Sequence, residues 1–175
     1  MSKSSVKSKI LNDSSFLNIV DDILNNKCFD ELKYIEQHAT TRYLHSLKVA
    51  HLSYKIAKRL GLDYVATARA GLLHDFYNEK KEEKTFLGKL RLCIVDHAEL
   101  ASINSKELFK ISSKEDNIIK SHMFPFGKTL PKHKESFIVD LVDDIIATKE
   151  FGRKYRNEIS YTLGLIIVIL KNSIS

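Results

Sequence analysis

Apolar residues recur along this chain at the three- and four-residue spacing of helices, and no pair of segments alternates as paired strands would. Phe16, Leu17, Ile19, Val20, Ile23 and Leu24 predict an amphipathic helix over 15–25, opened by a Ser cap. A short helix is expected over 28–37. Thr40 and Thr41 can cap a long helix running to Leu60, where Gly61 supplies the C′ stop. Asp63 caps the next helix, over 64–74. A charged loop over 78–84, a helical segment over 86–95 and a helix over 97–110 follow. Ser112 and Glu115 have capping-box spacing, so another helix begins there and ends near Met123. Pro125, Gly127 and Pro131 mark a loop. Ile138, Val139, Leu141, Val142, Ile145 and Ile146 define a helix over 134–150, which Gly152 is expected to break before a last helix over 155–171. The pattern gives an all-α fold, a single-domain helical bundle over 15–175 behind a flexible leader, 1–14.

The composition narrows this further. At 175 residues, 43% hydrophobic and 29% charged, the chain has the size and balance of one globular domain. Two cysteines, Cys28 and Cys93, exclude a disulfide scaffold and a Cys-rich zinc module, and suit a reducing cytoplasm. The N-terminus lacks the apolar stretch of a secretion signal. The longest apolar run, Leu163 to Leu170, is shorter than the ~20 residues of a bilayer span, so no membrane partner is expected. That last helix is apolar almost all round; it either fills the core or forms a homodimer face. The net charge of +6 suits an anionic partner. There is no basic stripe interleaved with aromatics, which disfavours a dedicated nucleic-acid-binding module.

The informative residues are polar ones on apolar faces. His45 lies on the stripe continued by Val49, Leu52 and Ile56, whereas His51 falls well away from it. His97 heads a face with Leu100, Ala101, Asn104 and Leu108. His122 borders the stripe of Ile118 and Ile119. His74 and Asp75 end a helix, where adjacent side chains can converge. Among three acids of one later helix, Asp143 edges the apolar arc, Asp140 points to the polar side and Asp144 is farther off. A single inward His is ordinary. Four His and two Asp on inward faces of separate helices suggest a metal, because buried carboxylates are costly unless paired or coordinated. Nitrogen and oxygen donors without thiolates argue against a purely structural zinc site.

The ordered set His45, His74-Asp75 and Asp143, spaced by 29 and 68 residues, resembles the HD superfamily of metal-dependent phosphohydrolases. The flanks Thr-Thr-Arg-Tyr-Leu-His-Ser-Leu-Lys-Val-Ala at 40–50, Ala-Gly-Leu-Leu-His-Asp at 70–75 and Leu-Val-Asp-Asp-Ile-Ile-Ala-Thr at 141–148 are similar to that superfamily's motif segments. Asp144 stands where Lys is usual. The resemblance covers roughly 38–150, and narrows to small bacterial HD proteins through His-Met-Phe-Pro at 122–125 and Lys-Glu-Ser at 134–136.

The resemblance implies an all-helical fold holding one or two divalent metals (Fe, Mn, Mg, Zn or Ni) on His45, His74, Asp75 and Asp143. His97 and His122 stand where two-metal members place further ligands and one-metal members bind phosphate. Asp75 would hold the attacking water, and His97 and His122 would stabilise phosphoryl charge. The implied activity is hydrolysis of a phosphomonoester or phosphodiester in a small, nucleotide-like substrate. A non-catalytic HD domain that binds nucleotide or RNA is the alternative. Arg42, one turn before His45, is either a phosphate clamp or a solvated arginine. His38, Lys128 and Lys132 are further candidates to contact substrate.

Overall fold

The computed structural model describes residues 3–37, 39–77 and 96–173. His38, Cys93, the loop expected over 78–84 and the helix expected over 86–95 lie outside the described residues. Eight α-helices are present among the described residues: α1 (Lys3–Leu11), α2 (Ser14–Leu24), α3 (Lys27–Asp30), α4 (Arg42–Arg59), α5 (Tyr64–Leu73), α6 (His97–Leu108), α7 (Ser113–Ser121) and α8 (Lys134–Ser173), with a 3-10 turn over Glu31–Tyr34. The fold is all-α, as the pattern requires.

Local chemistry sets most boundaries. Thr41 Oγ1 accepts the Leu44 N–H and opens α4. Gly61, at φ +67°, ends it, with Leu62 N–H returning to Ala57 O and Gly61 N–H to Lys58 O, a Schellman pair. Asp63 caps α5 through Ala66 N–H. Ser112 and Glu115 form both bonds of a capping box at α7.

Four expectations are corrected. The stretch read as a leader contains α1, because Val6 and Ile10 share a face and Ile10 packs into the core. The cap of α2 is Asp13, not a serine; its carboxylate accepts Phe16 N–H and also meets His51 Nε2 at 3.1 Å. His51 is therefore buried, and α4 is covered on nearly every side, with Leu47, Ala50, Tyr54 and Ala57 in the core while Leu52 is partly exposed. Gly152 does not break α8, which runs on as one helix. A helical glycine costs about 1 kcal/mol relative to Ala, too little to end a helix with good formers on both sides. Finally, residues 36–37 and 40–41 form a two-residue antiparallel bridge, Glu36 opposite Thr41 and Gln37 opposite Thr40. Segments that short carry no period to read.

The core lies where α4, α5, α7 and α8 converge, lined by Leu47, Ala50, Leu72, Leu73, Ile118, Ile119, Val139 and Val142. On α8 the buried stripe is Val139, Val142 and Ile146, and Leu141 faces out. A Cβ at Gly71 would lie 3.0 Å from Ala50 Cα. Helices α4 and α5 therefore touch backbone to backbone, which brings the His45 and His74 rings to a centroid distance of 5.5 Å. The apolar run Leu163 to Leu170 belongs to α8, and its side chains lie outside the described ones. Among the described residues no helix is long and apolar enough to cross a membrane.

Candidate metal centre

Six of the residues singled out by sequence meet at the centre of the bundle. His45 comes from the first turn of α4. His74 is the C-cap of α5, and Asp75 follows it as the helix unwinds. His97 opens α6 and His122 caps the end of α7. Asp143 comes from the third turn of α8. All of the histidines are nearly inaccessible, and Asp75 is 4% exposed.

Three imidazoles share one arrangement. His45 Nδ1 lies 2.9 Å from Glu150 Oε2, His74 Nδ1 donates to Gly71 O at 2.8 Å, and His122 Nδ1 donates to Ile119 O at 2.7 Å. Each ring is thereby fixed with Nε2 aimed inward, the tautomer and orientation that suit a metal ligand. The Nε2 atoms converge on two carboxylates. His45 Nε2 is 2.8 Å from Asp143 Oδ1. His74 Nε2 is 3.4 Å from Asp75 Oδ2 and 3.6 Å from Asp143 Oδ1. His97 Nε2 and His122 Nε2 stand 3.6 and 3.9 Å from Asp75 Oδ1, and 2.9 Å from each other.

A divalent cation fits this donor set. His45, His74 and Asp143 offer one group of mutually close donor atoms, and His74, Asp75 and His122 offer a second. His74 Nε2 belongs to both, is fully buried, and has no hydrogen-bond partner. An orphaned lone pair among carboxylates is costly unless something cationic meets it. Imidazole nitrogen with carboxylate oxygen suits Zn, Fe, Mn or Ni.

Without a cation, protons balance the charge. Burial resists a charge on His45, but bonds to Asp143 and Glu150 prevail and raise its pKa to about 9. The same contest, won by the charges of Asp75 and Asp143, raises His74 well above its ordinary value. Burial favours neutral Asp75 and Asp143, yet His74 holds both well below the usual carboxylate range. His122 goes the other way: burial, then the neighbouring His74 and His97, push it down to about 4. Neutral His122 keeps its Nδ1 proton on Ile119 O, so its Nε2 accepts and His97 Nε2–H donates.

The expected substrate contacts fare differently. Arg42 is not free to clamp a phosphate. It is 3% exposed, its Nη1 and Nη2 donate to Tyr77 O and Oη at 2.7 and 2.9 Å, and its Nε donates to Gln37 Oε1 at 3.2 Å. Lys128 pairs with Asp96, the residue before His97, at 2.7 Å. Lys132 is exposed, and its N–H is held by Asn117 Oδ1. Asp140 is half-buried rather than on open polar surface, because the loop after α7 gives it the Phe124 N–H; burial and then Asp144 and Asp143 raise its pKa to about 7.

Two neighbours escaped the sequence reading. Glu150 lies seven residues after Asp143, two turns on and so on the same face, a spacing that could have revealed it. Gln37 donates to Asp75 Oδ2 at 2.6 Å from the two-residue bridge, for which no sequence signal exists.

An all-helical bundle with a buried His/Asp cluster ordered His, His-Asp, Asp is the arrangement of an HD-type domain. The chain belongs to the HD domain family, which its residues 42–148 match. Among curated proteins it is 34% identical over 146 residues to "Ribonuclease Y" of Mycoplasma capricolum subsp. capricolum, covering 79% of this chain and 25% of that protein. It is 28% identical over 128 residues to "Ribonuclease Y" of Pseudothermotoga lettingae, covering 73% of this chain and 23% of that protein. "Ribonuclease Y" of Thermoanaerobacter pseudethanolicus is 29% identical over 130 residues, with 73% and 23% covered. The chain thus spans about a quarter of the length of these relatives. No solved structure matches it significantly.

Proposed function

We propose that this chain is a metal-dependent hydrolase of a phosphodiester, with His45, His74, Asp75 and Asp143 holding a divalent cation. His97 and His122, beside Asp75, either complete a second cation site or bind the phosphoryl group. The observation that carries the reading is His74 Nε2, fully buried and without a hydrogen bond, 3.4 and 3.6 Å from the carboxylates of Asp75 and Asp143. A divalent cation there would lower the pKa of a bound water and polarise a phosphoryl oxygen. The protein's own part is orientation. Gln37 fixes Asp75 Oδ2, so Oδ1 is the oxygen turned toward His97 and His122. From there Asp75 can hold an attacking water by hydrogen bond, and His97 can donate its Nε2 proton to a nonbridging phosphate oxygen where negative charge grows.

The chain retains the whole His, His-Asp, Asp set, which favours catalysis over a binding-only descendant. The substrate class follows from the relatives. All three carry a name that specifies RNA, so RNA precedes the small nucleotide as the phosphodiester of choice. Arg42, engaged with Tyr77 and Gln37, supports the site through Gln37 rather than by clamping the phosphate. The test is incubation of the purified protein with Mn²⁺ and end-labelled single-stranded RNA, and in parallel with cyclic and linear dinucleotides. Metal-dependent cleavage of RNA that EDTA abolishes is expected. Cleavage of the dinucleotides alone would move the substrate to the small nucleotide. Salt-dependent RNA binding with no cleavage and no metal uptake would leave the binding-domain alternative in its place.

A further inference from the structure

One carboxylate at the centre has no place among the prospective ligands. Glu150 is 4% exposed and sits two turns beyond Asp143 on α8. Its Oε2 lies 2.9 Å from His45 Nδ1, while its Oε1 accepts from Lys48 Nζ at 2.6 Å. Lys48 follows His45 by three residues, so α4 presents ring and ammonium to the same carboxylate from one face. Both oxygens of Glu150 are therefore engaged, which is what lets a charged carboxylate remain buried. On the far side of the ring, Nε2 faces Asp143 Oδ1 at 2.8 Å. Because Asp143 and Glu150 share one helix, the imidazole is gripped at both nitrogens by a single rigid element.

We propose that Glu150, held ionised by Lys48, is the positioning residue of the cation site: it keeps the Nδ1 proton of His45 and so presents Nε2 as the ligand. This rests on the reading of His45 as a metal ligand given above. A carboxylate on the distal nitrogen also raises the basicity of the ligating one, so losing it weakens the metal as well as the geometry. A purely structural Glu150, a bolt between α4 and α8, would affect melting alone.

The test measures Mn²⁺ binding, by the free-ion EPR signal, on wild type, Glu150→Ala and Glu150→Gln, alongside thermal melting. Glu150→Ala is expected to bind about 10- to 100-fold more weakly at unchanged stoichiometry. Glu150→Gln should recover most of the loss, since its amide oxygen still accepts from Nδ1–H. Wild-type affinity in folded Glu150→Ala overturns the proposal. Should that variant fail to fold, Glu150→Asp replaces it; a carboxylate one methylene shorter no longer reaches His45, the same weakening is expected, and wild-type affinity overturns the proposal equally. A metal-free readout separates this claim from the reading beneath it. Proton NMR should show a slowly exchanging His45 Nδ1 proton in wild type that is lost in Glu150→Ala. That loss, with no Mn²⁺ uptake by wild type, would sink the metal reading and not the His45–Glu150 bond. The same proton signal in both proteins overturns the positioning role whatever the metal result.

Discussion

The two ends of the centre meet at His74 and are built differently. At the α4–α8 end, His45 sits between two carboxylates at 2.8 and 2.9 Å and is readily protonated. At the α6–α7 end, His97 and His122 face each other at 2.9 Å with one carboxylate between 3.6 and 3.9 Å away, and His122 resists protonation. The first end is closed by two short carboxylate contacts to one ring. The second holds two imidazoles at longer range from the one carboxylate they share. The geometry thus separates a tightly paired end from a loosely paired one.

The largest effect that would test this contrast falls on the carboxylate of the α6–α7 end, which also lies 3.4 Å from His74 Nε2. Asp75→Ala should reduce metal-dependent turnover to background while circular dichroism and cooperative melting persist. Full activity in that variant would refute the chemistry assigned to both ends. Next in size is His122→Ala, read by elemental analysis of the purified protein. A fall from about two metals per chain to about one gives the α6–α7 end a cation of its own. About one metal in both proteins leaves that end without one, and leaves the phosphate to the Nε2–H of His97.

The ends should also oppose each other in pH. His45 is raised in the folded state from 6.5 to about 9, so its contribution is complete below pH 6.5 and is lost as pH climbs through 9. His122 is lowered from 6.5 to about 4, so the folded state is penalised as pH falls from 6.5 toward 4. Denaturant melts of metal-free protein should show greatest stability near pH 6.5, with each limb worth on the order of 1–3 kcal/mol. His45→Asn should shrink the alkaline limb, to which His74 also contributes, and leave the acid one. The smallest effect belongs to Asp140→Asn. Asp140 is raised from 3.8 to about 7, so its ionisation opposes folding as pH rises over that interval. The variant should melt about 1–2 °C higher at pH 8, match wild type near pH 4, and bind Mn²⁺ unchanged. A loss of Mn²⁺ binding there would mean that the acidic edge of α8 belongs to the centre.

Sequence reading located the ligand-like residues because each obeys a local rule. His45, His97, His122 and Asp143 are polar residues on apolar helical faces, and His74-Asp75 is a dyad at a helix end. What it missed depends on contacts between distant segments. Arg42 lies one turn before His45, which suggests a role in the pocket, but Tyr77 lies 35 residues away and claims the guanidinium. His51 is off the apolar stripe of its own helix, yet α1 packs on α4, and Phe16 and Asp13 at the start of α2 meet its ring. Gly152 shows the converse limit: a local stop signal worth about 1 kcal/mol is overridden by the helix around it.

Among the described residues His74 is the one donor common to both clusters, so the two ends share a vertex rather than a wall. Substitutions at opposite extremes, such as Glu150 and His97, fall on separate branches, and their energies should add; any pair that includes His74 should not. Descent is bound by the same arithmetic. A lineage can lose either cluster gradually from its rim, but a single change at the vertex removes both at once.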